Sequence, residues 1–493
     1  MTKTNESNLK IGWATRDITP DQKVILGAQF KMRVSEGVDG PVTVTAMALS
    51  AGESADDSVI FVSCDRGGFR HKWHDKNNFL PLIREAIRTR SSEINLDKVV
   101  LNATHTHTAP MSLVDQFGPE KDVLPEGVMT AKEYMDFHKS RIADAVIEAW
   151  KNRKPGGISF GLGTAVVGHN RRATYFEEDI NRRAGAIVNS FTKMYGNTND
   201  PKFSHIEGYE DHYVDLLYTW DGRKNLTGVV VNLASPSQET EMGMQISADF
   251  WHEVRTEIRK RHGKHIQILA QCSAAGDQSP HRLWYKEAEE RMLKLRGLTM
   301  REEIGRRVAN AVDDVLPAAR ASIQTNLPLK HVVKEIAIPR RIVTDEEEAA
   351  VQANLVKLEA EAKTGKNNYR IIKRCLRVLE RYVLQKESPV VPMELHVVRL
   401  GDVAFATNRF ELFLDFGIRI KARSPAVQTF LIQLAANDKW CGTYLPSERA
   451  VANKGYGGSV YDNEVGPDGG QVIVEETIKV LNELWPGTEN KAD

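Results

Sequence analysis

The chain has 493 residues, enough to bury a large core in roughly two to four domains or in one elaborated domain. Lysine plus arginine and aspartate plus glutamate each total 66, a balance that argues against nucleic acid, an acidic polymer or an anionic membrane surface as an obligatory partner. The cysteines are too sparse for a disulfide-stapled secreted scaffold and predict buried, reduced thiols: Cys64, Cys272, Cys375 and Cys441.

The N-terminal segment has no signal-peptide pattern. Its first ten residues are polar and lack a basic flank followed by an apolar run. No later stretch is apolar over the length of a membrane span. The sequence therefore predicts a cytoplasmic protein, or a secreted or periplasmic one if a leader has been removed.

Five short apolar runs predict buried strands, and reactive side chains follow each run at once. The runs are 58–62, 99–103, 228–232, 266–270 and 403–406. In the same order, the residues that follow them are Cys64 with Asp65, His105 with His107, residues 235–239, Asp277 with Ser279, and residues 408–411. Because open α/β sheets bind ligands beyond the carboxyl ends of their strands, we expect these positions to share one cleft.

The run at 99–103 leads into two histidines, His105 and His107, with one residue between them. On a strand such residues point to the same face. Two imidazoles there can bind a divalent metal, or can place one ligand beside one acid–base group. The simpler alternative is a polar end of a strand whose histidines are hydrogen-bonded by neighbouring hydroxyls.

Two capping boxes predict long helices in the second half of the chain. One begins after Thr299 and is expected to end at Pro317. The other begins after Thr344 and opens a helical hairpin over 346–385, with its turn at 364–367. Its many charges predict a solvated face, with a lid or a dimer contact as the alternative.

The organisation that fits these elements best is one domain over 1–493, with the helical hairpin as an insertion at 340–388. No internal repeat, low-complexity tract or linker divides the chain. The predicted fold class is α/β, with mixed β-sheets flanked by helices.

Four motifs, taken in order, resemble the catalytic domain of neutral/alkaline ceramidases. They are GWATRDITP at 12–20, ATHTHTAP at 103–110, GHNRR at 168–172 and GDQSP at 276–280. The resemblance continues through 408–413 and a late stretch with two tyrosines, and it spans about residues 11 to 476. The family enzymes usually carry a further immunoglobulin-like C-terminal domain, which this chain is not expected to contain.

The resemblance implies an amidohydrolase in which a single zinc ion activates water to cleave an N-acyl bond. It assigns the metal to three residues: His105, Glu411 and Tyr444. It places three others beside the reacting carbonyl: His107, Arg171 and Tyr456. A donor that is well aimed at the developing oxyanion contributes roughly 3–4 kcal/mol.

The GDQSP motif supplies further candidates. Ser279 is a candidate nucleophile, but a serine nucleophile needs a base within hydrogen-bond reach, which the sequence does not place. We therefore favour a substrate contact or a loop-scaffolding role for Ser279 and keep it among the catalytic candidates. Asp277, Gln238 and His281 are predicted to contact the substrate.

The chain departs from the family where a second zinc-binding histidine is expected, because Ser235 stands there. Serine is a poor zinc ligand unless it is deprotonated. Three nearby side chains are candidate replacements: Gln238, Glu239 and His212. Asp65 is a candidate for orienting His105 from the second layer of the site.

The substrate is predicted to be a small molecule, either a lipid amide or a polar, glycan-like compound. The region after GDQSP offers a charged rim that suits a polar ligand better than a lipid: His281, Arg282, Lys286, Glu287 and Glu289. The alternative function is therefore a carbohydrate-active or other polar-ligand enzyme on the same fold, with an altered or lost metal site. A non-catalytic relative that binds a ligand in the same cleft is a third hypothesis, and the oligomeric state stays open.

Overall fold

The computed structural model describes residues 8–29, 31–52, 57–69, 79–111, 124–176, 190–366, 368–437 and 443–487. Its strands are β1 (Leu9–Asp17), β2 (Lys23–Leu26), β3 (Arg33–Val34), β4 (Gly37–Val38), β5 (Thr43–Ala51), β6 (Ser58–Cys64), β7 (Val99–Ala103), β8 (Val128–Met129), β9 (Lys154–Thr164), β10 (His169–Asn170), β11 (Arg172–Phe176), β12 (Ser190–Met194), β13 (Phe203–Ile206), β14 (Tyr213–Asp221), β15 (Leu226–Leu233), β16 (Gln245–Ile246), β17 (Gln267–Cys272), β18 (Gln278–Ser279), β19 (Leu329–Pro339), β20 (Val390–Leu400), β21 (Val403–Thr407), β22 (Glu411–Leu412), β23 (Gln428–Ile432) and β24 (Tyr444–Leu445).

Its helices are α1 (Phe79–Arg88), α2 (Ala131–Lys151), α3 (Phe250–His262), α4 (Lys286–Arg296), α5 (Met300–Ala321), α6 (Asp345–Lys363), α7 (Tyr369–Leu384), α8 (Leu414–Arg423), α9 (Glu448–Ala452) and α10 (Pro467–Leu484), with a short 3-10 helix at Leu96–Lys98. The five strands predicted from apolar runs are all present, as β6, β7, β15, β17 and β21.

The largest sheet has eight strands in the order β17-β15-β14-β9-β1-β5-β6-β7. Strands β6 and β7 run parallel, as do β15 and β17, and the other neighbours are antiparallel. A second sheet has the order β19-β20-β21-β23, in which β21 and β23 are the parallel pair. The predicted α/β class with mixed sheets flanked by helices is confirmed.

Both faces of the large sheet are covered, because apolar side chains occupy successive positions along its strands. On β5, Ala46 and Ala48 face a core shared with helices α1, α2, α3 and α5. Met47 and Leu49 on the same strand face a second core, shared with the four-stranded sheet. Helices α8 and α10 cover the far side of that sheet. The result is a helix–sheet–sheet–helix sandwich.

The large sheet curls so that its two edges approach each other. Strands β7 and β17 lie at opposite edges, yet Asn102 Nδ2 on β7 donates to the Ala270 carbonyl on β17 at 3.5 Å. Ser63 Oγ on β6 donates to the same carbonyl at 2.5 Å. Strand twist accumulates in this way over many strands. The curl explains how segments that follow strands at opposite edges of the sheet come together.

Helix α5 corrects one sequence-based expectation. Its capping box between Thr299 and Glu302 is present, but the helix does not end at Pro317 and continues to Ala321. A proline inside a helix removes one backbone hydrogen bond. Here the turn that follows is held by Ala319, which is buried in the core against the large sheet, so tertiary packing outweighs the local penalty.

Helices α6 and α7 form the predicted hairpin, with its capping box between Thr344 and Glu347. The hairpin has its own apolar core, which includes Val460 from the segment after α9. Two arginines of α7 bind that segment: Arg374 pairs with Asp462, and Arg381 donates to the Val460 carbonyl. The prediction of a solvated face is wrong for these side chains, which hold the hairpin against the body of the protein.

The predicted reduced thiols are confirmed for three cysteines, since Cys64, Cys272 and Cys375 are buried and unpaired. Cys441 lies outside the described residues. Among the helices of the described ranges, none is long and apolar enough to cross a membrane.

Candidate active site

His105 is the residue on which the site is built. It follows β7 in the left-handed region, with a φ of 68°, which is uncommon for a residue other than glycine and turns the chain sharply. Its Nδ1–H donates to the Gly67 carbonyl. Since a carbonyl can only accept, Nδ1 is the donor in this bond, and Nε2 faces Glu411 Oε2 at 3.2 Å.

Glu411 and Tyr444 reach His105 on a two-stranded parallel ladder, in which β22 and β24 place them directly opposite each other. Gly276 makes this position possible. A Cβ at residue 276 would lie 2.3 Å from the Glu411 carbonyl oxygen, so a larger residue would displace the strand. The glycine of the GDQSP motif therefore sets the place of Glu411.

These residues fit a metal ion. A neutral imidazole nitrogen and an ionised carboxylate are both acceptors, so Nε2 of His105 and Oε2 of Glu411 need a proton or a cation between them. Both side chains are almost completely buried. A nitrogen, a carboxylate and a phenol oxygen form a donor set that zinc accepts.

Arg171 lies behind the Tyr444 phenol. Its Nη2 donates to Tyr444 Oη at 3.0 Å and to the Gly276 carbonyl at 2.9 Å. Burial, and then the charge of Glu411, raise the pKa of Tyr444 well above its ordinary value, while Arg171 opposes this shift. Without a metal ion the phenol therefore keeps its proton. The ring of Tyr456 stands edge-on to that of Tyr444, with 5.3 Å between the centroids.

His107 is held by two polar side chains from the segment after β15. Its Nδ1 bonds Glu241 Oε2 at 3.1 Å, and its Nε2 accepts from Gln238 Nε2 at 2.8 Å. Burial lowers the pKa of His107 to about 4, although Glu241 opposes the shift. His107 is therefore a neutral imidazole with its proton on Nδ1. Gln238 also accepts from Arg171 Nη1 at 3.1 Å and so links His107 to Arg171.

A cavity of about 100 Å³ opens onto these residues. Five sequence-predicted site residues line it: His105, His107, Glu411, Tyr444 and Tyr456. Arg171 and Gln238 lie directly behind that wall. The structure therefore brings together seven of the ten predicted residues, drawn from segments far apart in the sequence.

Asp277 and Ser279 do not line the cavity. Burial raises the pKa of Asp277 to about 6. Its carboxylate accepts from the Leu414 backbone at 3.0 Å and from Asn170 at 2.8 Å, which ties together the segments that carry Glu411 and Arg171. Ser279 Oγ accepts from the Tyr195 phenol at 3.0 Å and from the His281 backbone at 3.1 Å. No imidazole or carboxylate activates Ser279 among the described residues.

Ser235 does not replace the missing histidine. It is completely buried, and its hydroxyl donates to the Pro236 carbonyl at 3.3 Å. It is also absent from the cavity wall.

His212, one of the candidate replacements, lies elsewhere, in a group with His169 and Glu210 whose ligand atoms fall within 4.8 Å of one another. Glu210 Oε2 is 3.2 Å from a ring nitrogen of each histidine. Burial opposes the ionisation of Glu210, but the two histidines lower its pKa to about 2. This His/Glu/His group could also hold a metal ion, away from the cavity.

The hypothesis that Asp65 orients His105 is wrong. Asp65 makes a two-pronged ion pair with Arg255, at 2.7 and 2.9 Å, and it accepts from the Thr43 backbone at 2.8 Å. The partner of the His105 ring is the Gly67 carbonyl instead. Within the described residues, Asp65 is connected to the site through Thr104, whose hydroxyl donates to it at 3.2 Å.

Several residues of the site were missed because their sequence context is ordinary. Glu241 stands just beyond the predicted exit at 235–239, and Arg370 lies among the charges of the hairpin. Tyr195 donates to Ser279 and is 3.5 Å from Arg171. A carboxylate soon after a strand end was a usable signal for Glu241, whereas Arg370 and Tyr195 have no distinguishing pattern.

His281 lies beside the cavity wall with two carboxylates. Its ring nitrogens are 3.7 Å from Glu239 and 3.5 Å from Glu241. Burial opposes the protonation of His281, but the two carboxylates raise its pKa. His281 is therefore placed to carry a positive charge next to the His107–Glu241 pair.

Glu239 gives the protein a testable pH dependence. Burial raises its pKa from 4.5 to about 7. The folded state thus favours the protonated carboxyl, and this contribution to stability is present at low pH and is lost as the pH rises from about 4.5 to about 7. Urea unfolding across that range should show the wild type losing stability relative to Glu239→Gln. A constant difference between the two proteins would contradict the assignment.

No protein-family model and no curated protein matches the sequence. Solved structures do match. The crystal structure of neutral ceramidase from Pseudomonas aeruginosa aligns with a TM-score of 0.65 at 15% identity, over 97% of this chain and 75% of that chain. A structure of ceramidase complexed with C2 aligns with a TM-score of 0.64 at 15% identity, over 99% of this chain and 77% of that chain.

The chain has the neutral ceramidase fold. The resemblance that the four sequence motifs indicate is thereby confirmed at the level of the fold, over nearly the whole chain. In this ceramidase fold, the residues from ATHTHTAP and from the two late tyrosine segments line one cavity, and the arginine of GHNRR lies directly behind it.

Proposed function

We propose that this protein is a zinc-dependent hydrolase that cleaves the amide bond of an N-acyl compound. His105, Glu411 and Tyr444 would hold the metal. The observation that carries the proposal is the pairing of His105 Nε2 with Glu411 Oε2, at 3.2 Å, on the wall of a cavity in a ceramidase fold.

The donor set determines what a metal would contribute. When bound, zinc polarises a carbonyl and makes hydroxide available near neutral pH. The Gly67 carbonyl fixes the His105 tautomer. A hydrogen bond that orients a metal-binding histidine through its other ring nitrogen commonly affects metal affinity.

Three of the chain's own residues would act on the reacting carbonyl. Tyr456 lines the cavity, and a phenol there would donate to an oxygen that gains charge. Arg171 places a buried positive charge behind Tyr444. His107 keeps its proton on Nδ1, towards Glu241, so its Nε2 is the atom available to a substrate group that displaces Gln238.

Ser279 as a catalytic residue, and Asp277 and His281 as substrate contacts, stay predictions. Asp277 and Ser279 bond to the backbone and side chains that carry the site, which favours a scaffolding role. His281 stands nearer, beside Glu241, and suits a polar part of the substrate.

One observation favours the alternative, a polar-ligand or carbohydrate-active enzyme with an altered or lost metal site. The position expected to supply a second histidine ligand is a buried serine that bonds a backbone carbonyl.

Metal removal and restoration separate the two functions. The purified protein should contain about one zinc per chain at the cavity, should lose N-acyl amide hydrolysis on dialysis against a chelator, and should regain it with added zinc. Undiminished turnover by the metal-free protein, or activity confined to a glycoside panel, would contradict the zinc amidohydrolase.

A further inference from the structure

Two histidines and a glutamate converge on one point outside the cavity. His169 lies on β10, while Glu210 and His212 lie in the segment that leads into β14. None of these three residues lines the cavity around His105. We propose that they form a second zinc site, in which the ion joins β10 to the segment 207–212. The proposal does not depend on the amide hydrolysis proposed above.

The spacing of the three ligand atoms suits a zinc ion. Glu210 Oε2 is 3.2 Å from His169 Nδ1 and 3.2 Å from His212 Nε2. Donor atoms around a tetrahedral zinc ion stand roughly 3.3–3.5 Å apart, because each bond is about 2.0–2.2 Å long. The two imidazole nitrogens lie within 4.8 Å of each other. The His212 side chain is 37% exposed, which gives an ion access from solvent and leaves the ring room to adjust.

The donor set selects zinc over calcium and magnesium. Zinc accepts two imidazole nitrogens and one carboxylate, with a further position for water, whereas the two harder cations prefer oxygen ligands. Burial opposes the ionisation of Glu210, but the two histidines lower its pKa to about 2, so the carboxylate is ionised at neutral pH. Its other oxygen, Oε1, accepts from the Asn170 backbone at 3.2 Å. Such a bond orients a carboxylate for binding a metal.

The segment 207–212 is held in place at both ends. At one end, the Glu207 backbone donates to the Arg172 carbonyl at 2.9 Å. At the other end, the Ala165 backbone donates to the His212 carbonyl at 2.8 Å. These bonds fix the backbone that carries two of the three ligands before an ion binds. Less conformational entropy is then lost on binding.

Gly208 lets this segment approach β10 closely. A Cβ at residue 208 would lie 2.5 Å from Asn170 Nδ2, so a larger residue would push the segment away from His169. Asn170 is followed by Arg171, which donates to the Tyr444 phenol at 3.0 Å. The ion would therefore have a structural role, because it would fix the strand that leads into Arg171.

Zinc binding by the full chain tests the proposal in a His105→Ala background, which removes the cavity site. Calorimetry measures the affinity and stoichiometry, with magnesium in a parallel titration, and thermal unfolding is recorded with zinc and with a chelator. His212→Gln and Glu210→Gln are each added to that background. His205→Gln is the matched control, because His205 is exposed on β13, a few residues before Glu210.

We expect His105→Ala to bind about one zinc ion per chain, to bind no magnesium, and to unfold at a higher temperature with zinc than with the chelator. Adding His212→Gln or Glu210→Gln should weaken zinc binding by roughly a hundredfold or more, since even the partners of a ligand change metal affinity by about 10–100-fold. Either substitution should also remove the stabilisation by zinc. His205→Gln should change neither property.

No zinc binding by His105→Ala, equal binding of magnesium, or zinc binding that survives both added substitutions would overturn the proposal. So would a loss of stability in His212→Gln that is the same with zinc and with the chelator, because a group held only by hydrogen bonds would behave in that way. If His105→Ala does not fold, the wild type should bind about two ions, and about one after His212→Gln. If the wild type binds only the ion that His212→Gln removes, the second site stands and the cavity zinc fails.

Discussion

His105→Ala should deprive the protein of its cavity zinc and of its amide hydrolase activity. The imidazole is the one nitrogen donor of the proposed set, and the Gly67 carbonyl holds it in the ligating tautomer. Removal also leaves Glu411 buried without the group that faces it at 3.2 Å. A loss of about 4 kcal/mol of transition-state stabilisation corresponds to about a thousandfold lower kcat/KM, and we expect at least this effect.

The matched control is His212→Ala, which removes a histidine from the other group that could hold a metal. Zinc content is measured by mass spectrometry and turnover by amine release for both variants. We expect His212→Ala to retain the zinc that supports turnover. The reverse pattern, with activity lost in His212→Ala and kept in His105→Ala, would move the metal centre to the group of His169, Glu210 and His212.

Asp65→Ala should destabilise the fold by roughly 3–5 kcal/mol, because it leaves Arg255 buried without its charge partner. The carboxylate is completely inaccessible to solvent, and Arg255 is 5% exposed. The substitution also removes the acceptor for the Thr43 amide at 2.8 Å and for the Thr104 hydroxyl at 3.2 Å. Urea unfolding measures the change in the free energy of unfolding.

Asp136→Ala is the control for the same chemical change in an exposed pair. Asp136 bonds Lys132 at 2.8 Å and Lys139 at 2.9 Å on the surface of α2, and such pairs contribute little to stability. The stability loss in Asp136→Ala should be far smaller. If Asp65→Ala instead lost zinc while its unfolding curve matched the wild type, Asp65 would act on the metal site and not on the fold.

The sequence predicted the strands well because both faces of the large sheet are buried. Runs such as 99–103 are then apolar at successive positions, which marks them clearly. The curl of the sheet was beyond prediction, since it arises from twist summed over eight strands. The reactive residues after the strands were enough to predict a shared cleft. They did not predict the hydrogen bonds between strands at opposite edges of the sheet, which bring the sides of the cleft together.

The cavity residues were predicted from motif order, whereas the supporting contacts were not. An aspartate after a strand has the same local sequence whether it bonds His105 or a distant Arg255, and the structure shows the latter. Arg370 was counted among the solvated charges of the hairpin, because helical periodicity does not reveal which polar face meets a cavity. Tertiary packing determines both the partner of Asp65 and the surroundings of Arg370.

The most direct test of the metal centre is the anomalous scattering of crystals of the full chain grown with zinc, recorded at the zinc absorption edge. The account predicts one peak in contact with His105 Nε2, the Glu411 carboxylate and the Tyr444 phenol oxygen. Strong density only at His169, Glu210 and His212, or a cavity with no anomalous peak at saturating zinc, would contradict it.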